Sequence, residues 1–350
     1  MDNMQLHLVQ RRNNIPMLTA QKHREPISVE AEVIERPTSS ILEPPVKTKI
    51  FIEANTEPVL LNHLKDECVI PTYRDNEKTI SHFEFIDSLD FCTRQFFKGT
   101  DILEPQIRVS HQINGRIPQA LHKKVSELED WEKTRYYERM AFIIEIPTIT
   151  ETINGNQLNL TIGGVRALNH ESLFSKKSVE KFKVFIGFQN LVCTNLLVST
   201  DGTMLEVRVS SITELVNKVF ELFQNYDMKK HVNCMRNFTN HSLTEHQFAQ
   251  LIGKSRLYPF LPPKIRKEVP QLAFTDSQMN SISRDYYLDK SFCREENGEI
   301  SLWKLYQLFT GSNKSSYIDS FLDRSLNAHI FTESLVDAMQ SDSKTHWFLS

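Results

Sequence analysis

A chain of 350 residues, 40% hydrophobic and 24% charged, is long enough for a sizeable core and has the composition of a soluble globular protein. A net charge of −3 excludes a polyanion-binding field over the whole surface, so any such site must be a local patch. Only 10 glycines, against a usual share of roughly 7%, argue against phosphate-cradling glycine loops.

Residues 1–47 contain five prolines and little periodicity. Up to Arg24, the basic residues Arg11, Arg12, Lys22 and Arg24 face only Asp2; beyond it, Glu25, Glu30, Glu32, Glu35 and Glu43 face only Arg36. This predicts a flexible charged tail, either a spacer or a contact arm for a protein partner. The first residues lack the order of a signal peptide, and the one membrane candidate, the apolar segment at 182–202, is too short and too rich in amides to span. The cysteines Cys68, Cys92, Cys193, Cys234 and Cys293 are scattered and odd in number, as reduced thiols of a cytoplasmic protein would be.

Residues 48–210 read as an α+β core. Glu57 to Asp66 reads as a short helix with Pro58 in its first turn. Ser81 and Glu84 have capping-box spacing, and the helix after them puts Phe85, Leu89, Cys92 and Phe96 on one stripe and stops at Gly99. Residues 106–170 read as strands, with hairpin turns at Asn114-Gly115 and Asn154-Gly155 and a charged helix between them, within 118–137. The arms of the second hairpin are 140–150 and 158–163, and 165–168 continues as a strand.

The segment FKVFIGFQNLVCTNLLVSTDG, residues 182–202, is the most apolar of the chain, yet it carries Gln189, Asn190, Thr194 and Asn195. A start near Ser175 or Ser178 would put Val179, Phe182, Phe185, Ile186 and Val192 on one helical face. That period fails near Cys193, and 196–198 reads as a buried strand. The amides then serve a helix–strand junction, where buried backbone ends need partners.

Residues 211–350 read as a helical region packed on the core. Capping boxes are expected at Ser211/Glu214, Ser242/Glu245 and Thr275/Gln278. The second box opens a helix ending at Gly253. Ser301 starts a helix ending at Gly311, Ser316 starts the next, and Thr332 caps the last. The fold class is α+β, a strand-rich middle with hairpins followed by a helical C-terminal half.

Several stretches carry a resemblance: FIEANTEPVLLNHLKDE, RDNEKTISHFEFI, IRVSHQINGRIPQALHK, YYERMAFIIEIPTI, the 182–202 segment and LWKLYQLFTGSNKSSYIDSFLDR. Over roughly residues 50–350 they resemble an uncharacterised family of Bacteroidota proteins found on integrative elements and prophage-like islands. More distantly, FQNLVCTN is similar to the "phage/plasmid-like protein" group. The resemblance implies a mobile-element setting and supplies no catalytic residues.

The strongest chemical signal is GKSRLYPFLPPKIRK, residues 253–267. Lys254, Arg256, Lys264, Arg266 and Lys267 alternate with Tyr258 and Phe260, with no acid between them. Cations neutralise phosphates while rings stack on unpaired bases. Lys229 and Lys230 extend the patch, and the competing reading is a surface loop whose rings point inward.

His231, Cys234, His241 and His246 converge on zinc only if their helices pack together, and solvated histidines are the simpler reading. Asp319 and Asp323, one turn apart, would need a third acidic ligand to hold the Mg²⁺ of a nuclease. Gly311 to Ser315 lacks the spacing of a P-loop, Ser178/Lys181 lacks the partners of a Ser-x-x-Lys enzyme, and Cys193 reads as a buried thiol. No cofactor or metal is expected. The leading expectation is a non-catalytic mobile-element protein contacting nucleic acid, single-stranded by preference. A protein-interaction or phage-defence-modulating module is second, and a metal-dependent nuclease third.

Overall fold

A computed structural model describes residues 50–70, 79–171, 179–340 and 344–350, and Phe51–Ser350 forms one compact unit. The expected tail, and the helix start at Ser175 or Ser178, lie outside the described residues.

The chain enters the sheet through β1 (Glu57–Val59) and only then forms α1 (Leu61–Asp66). The single helix expected from Glu57 is thus shortened, because Pro58 sits in the middle of an edge strand, where its missing N–H costs little. The next helix, α2 (His82–Phe96), starts as expected: Ser81 Oγ accepts from Glu84 N at 3.1 Å, and Glu84 Oε2 accepts from Ser81 N at 2.7 Å. Phe85, Leu89 and Cys92 are buried along it.

After β2 (Gln106–Val109), β3 (Gln112–Arg116) and β4 (Lys133–Tyr137) pair as a separate ribbon. Asn114-Gly115 is therefore no turn. Gly115 lies opposite Thr134, whose hydroxyl is 2.7 Å from where a Cβ would stand, so the glycine serves a close approach between strands. Nor does a helix form between them. The carboxylates of Glu127 and Glu132 bond back to the amides of Lys124 and Glu129 and close isolated single turns.

A long antiparallel meander follows: β5 (Arg139–Ile153), β6 (Asn156–Ala167) and β7 (Glu180–Asn190). The β5–β6 turn is Asn154-Gly155, with φ of 48° and 75°, the mirror-image turn that suits strand twist. Short β8 (Leu196–Leu197) and β9 (Thr203–Val209) both pair with β7, giving a seven-stranded sheet of order β1-β2-β5-β6-β7-β8 with β9 beside β7.

The expected helix over 179–192 is thus a strand in the body of the sheet. Phe182, Val184, Ile186 and Phe188 join the larger core with Phe85 and Leu89 of α2. Phe185 joins a second cluster with Ile318, Phe321 and Leu322 on the other face. With both faces covered, polar alternation disappears and a continuous apolar run remains, which periodicity alone does not distinguish from a buried helix.

The C-terminal half is helical: α3 (Ile212–Asn225), α4 (Met228–Phe238), α5 (Glu245–Leu257), α6 (Pro263–Arg266), α7 (Asp276–Leu288), α8 (Leu302–Ser312) and α9 (Ile318–Gln340). Thr275 and Gln278 form their box as expected. At α3, Ser211 caps Glu214 N, while the Glu214 carboxylate turns to Ser210 N. At α5 the box is Thr244/Gln247, because Ser242 is already in β10 (Ser242–Leu243), paired with β11 (Ile300–Ser301). That helix passes through Gly253 to Leu257, and α8 passes through Gly311. Thr332 caps nothing; it is buried within α9 and donates its hydroxyl to Ala328 O at 2.7 Å. Among the described residues no helix is long and apolar enough to cross a membrane.

Candidate functional site

The basic segment begins in the last turns of α5. Leu251, Ser255 and Tyr258 follow one another at helical spacing and are buried, so Tyr258 continues the inward stripe, with its ring 6.0 Å from that of Phe348. Lys254 Nζ lies 4.8 Å over the Trp347 ring, and Arg256 pairs with Asp276 at 2.9 Å. The chain then turns through Pro259 and leaves Phe260 84% exposed.

Pro262 and Pro263 start α6, and residues 262–268 are all exposed. Arg266 lies 5.2 Å over the Tyr258 ring and donates from Nη2 to Pro259 O at 3.2 Å, which braces the turn. Among the described residues no acid pairs with Lys264 or Lys267. The structure therefore gathers Lys264, Arg266 and Lys267 beside Phe260, while Lys254 and Arg256 engage Trp347 and Asp276. Tyr258 offers no face for stacking; the available ring is Phe260. Leu257 and Ile265 add exposed apolar surface. Of the extension, Lys230 is paired with Asp201 at 2.7 Å.

The amides of the FQNLVCTN stretch form a staple at the end of β7, before a turn in which Thr194 takes φ of 61°. Asn190 Nδ2 donates to Gln307 Oε1 at 3.1 Å, and Asn195 Nδ2 donates to Gln307 O at 2.8 Å. Lys314 Nζ donates to Thr194 Oγ1 at 2.8 Å and to Cys193 O. Together these bonds fix α8 and the turn after it to the sheet. Burial pushes the Cys193 thiol up to about 11, the reverse of what activates a nucleophile. Burial also lowers the Lys314 ammonium from its ordinary value. Ser178 lies outside the described residues.

Asp319 and Asp323 face cations. Arg139 Nε is 3.4 Å from Asp319 Oδ2, and Lys183 Nζ is 3.0 Å from both oxygens of Asp323. No third metal-ligating side chain joins them among the described residues.

The four residues weighed for zinc do not converge, though His231 is buried rather than solvated. His241 Nδ1 donates to Asn237 O, while its Nε2 meets Gln340; His246 meets Gln250. His231 is buried, with Nδ1 2.9 Å from Tyr226 Oη, and burial holds its imidazole well below the usual range. Cys234 instead meets His329 and Glu333 of α9. Burial takes the His329 imidazole down to about 4 and pushes the Cys234 thiol up, with Glu333 beside it adding to the rise. Sequence reasoning missed this cluster because about a hundred residues separate its halves, and no spacing motif can register that.

No curated protein and no solved structure matches this chain. One family covers nearly all of it: residues 29–349 match the family described as "Domain of unknown function, B. Theta Gene description" (DUF3871), and the chain belongs to that family.

Proposed function

We propose that this protein contacts nucleic acid, single strands by preference, through the surface around Phe260, Lys264, Arg266 and Lys267. On this reading it is a non-catalytic cytoplasmic protein of a mobile element, acting in DNA processing or element maintenance, the setting the sequence resemblance implies. One observation carries the reading: an aromatic ring 84% exposed, next to a stretch in which every residue from 262 to 268 is exposed and three are basic. A ring so placed gains little from folding, whereas stacking on an unpaired base contributes about 1–3 kcal/mol. The prolines flanking Phe260 hold the turn in shape, which lowers the entropy lost on binding.

The test is fluorescence anisotropy with labelled single-stranded DNA, duplex DNA and RNA at two salt concentrations. Single-strand binding that weakens with salt, with a log–log slope of about −2 to −3 for three or four phosphate contacts, is the expected result. No binding at low salt would sink the reading. Leu257, Phe260 and Ile265 then favour the second reading, a protein-docking face, read out by recovery of a partner that a Phe260→Ala variant loses.

A further inference from the structure

We propose that Cys234, His329 and Glu333 form a binding site for a divalent transition-metal ion, zinc by ligand type. His329 and Glu333 are one turn apart on α9, so their side chains leave the helix on the same side. Cys234 reaches them from α4, which packs against α9.

One ligand atom from each side chain lies within 4.8 Å of the other two, and the shortest approaches use both oxygens of Glu333. Cys234 Sγ is 3.0 Å from Glu333 Oε1 and 3.7 Å from His329 Nε2; His329 Nε2 is 3.6 Å from Glu333 Oε2. In a tetrahedral zinc site, bonds of about 2.0–2.3 Å separate neighbouring ligand atoms by about 3.3–3.6 Å. These approaches bracket that range, so an ion needs one Glu333 oxygen to turn toward both partners through a side-chain rotation. Sulfur, imidazole nitrogen and carboxylate oxygen together suit zinc better than magnesium or calcium, which take oxygen alone. A thiolate and a carboxylate also balance the ion's two charges.

A second observation is independent of these distances. Beside the cluster, His231 Nε2 and His329 Nδ1 are buried and have no partner among the described residues. The two rings pack edge to face, 5.2 Å between centroids. Buried nitrogens without partners are costly, so the protein leaves polar groups unsatisfied around the ligand set; an ion on His329 Nε2 would fix its Nδ1 as the ring's N–H. Three protein ligands leave a fourth position for water or an incoming ligand. The Glu333 side chain, 44% exposed, gives the site its route to solvent. On binding, the metal replaces the proton of the Cys234 thiol, and that proton passes to solvent.

The experiment is a cobalt(II) titration of the full chain after treatment with a chelator, followed by displacement with zinc. One equivalent should produce the thiolate-to-cobalt charge-transfer band, together with the visible bands of a tetrahedral ion. Cys234→Ser should abolish that band and weaken zinc binding about tenfold or more. Glu333→Gln, at a half-exposed position that tolerates change, should keep the fold by circular dichroism and weaken zinc about tenfold, which tests the site even if Cys234→Ser misfolds. A His241→Gln/His246→Gln variant should bind as the wild type does. Absence of the charge-transfer band, its persistence in folded Cys234→Ser, unchanged zinc affinity in Glu333→Gln, or loss of zinc in the His241/His246 variant overturns the assignment.

Discussion

The ring of Phe85 fills the space in which a side chain on Gly164 would begin: a Cβ there would stand 2.5 Å from Phe85 Cζ. The missing methyl lets α2 settle on β6, with Phe85 packed 5.3 Å from Phe142 and 4.6 Å from Phe182. Gly164 has an ordinary φ, so Gly164→Ala would normally gain about 0.4–1 kcal/mol from the unfolded state. Here we expect a loss of about 1–3 kcal/mol instead. Urea unfolding measures it, and adding Phe85→Leu should recover part of the loss. A Gly164→Ala variant as stable as the wild type would contradict this account of the helix–sheet contact.

Gln307 sits where the amides of Asn190 and Asn195 converge. Gln307→Leu keeps the volume and removes the acceptor, leaving the buried Asn190 Nδ2 without its partner. The expected cost is about 1–3 kcal/mol in chemical denaturation. Unchanged stability would mean that the amides bring no energetic benefit to the staple.

His82 gives a pH prediction. Its Nε2 donates to Tyr137 O at 2.8 Å, and burial, aided by the nearby Arg166 charge, takes the imidazole down to about 3. The folded state therefore refuses a proton that the unfolded chain accepts below about pH 6.5. Stability from this group is complete above that pH and is lost progressively as pH falls towards 3, with a slope of about 1.4 kcal/mol per unit. Buried His231 and His329 act with the same sign. His82→Gln keeps a donor without a titrating ring, so its stability should fall less steeply between pH 6.5 and 4. Parallel curves for variant and wild type would count against this origin of acid sensitivity.

Phe260 separates binding from stability. Because the ring is 84% exposed, Phe260→Ala should leave the unfolding midpoint within about 0.5 kcal/mol of wild type. Its affinity for single strands should drop about fivefold or more. Lys264→Ala/Lys267→Ala should instead lower the salt slope by about one to two. A Phe260→Ala variant that binds as tightly as the wild type would remove the ring from the interface.

What was legible in the sequence was local. The Ser81/Glu84 and Thr275/Gln278 caps and the Asn154-Gly155 turn are each set by a few adjacent residues, and all three appear where the spacing puts them. Legibility failed where the deciding partner is distant. β7 reads as a helix because α2 and α9 cover both of its faces, and neither helix is visible from within the segment. Gly115 looks like a turn residue until Thr134 stands opposite it. The same holds for function: the basic run 253–267 is visible as composition, but which ring faces outward depends on Phe348, ninety residues on from Tyr258. The Cys234 cluster is invisible for the same reason.

The sheet order also has a consequence for synthesis. β1 and β2 are made before β5, yet β2, with β1 on its outer side, takes its place in the sheet beside β5, which ends at Ile153. The β5–β6–β7 meander needs only neighbouring segments and can close as soon as it emerges. Phe51 and Ile52 wait much longer, since the cluster that buries them includes Phe321 and Leu322, about 270 residues further on. Between the synthesis of Phe51 and Ile52 and that of Phe321 and Leu322 the nascent protein holds these two apolar side chains without their cover, and that interval exposes it to misassociation.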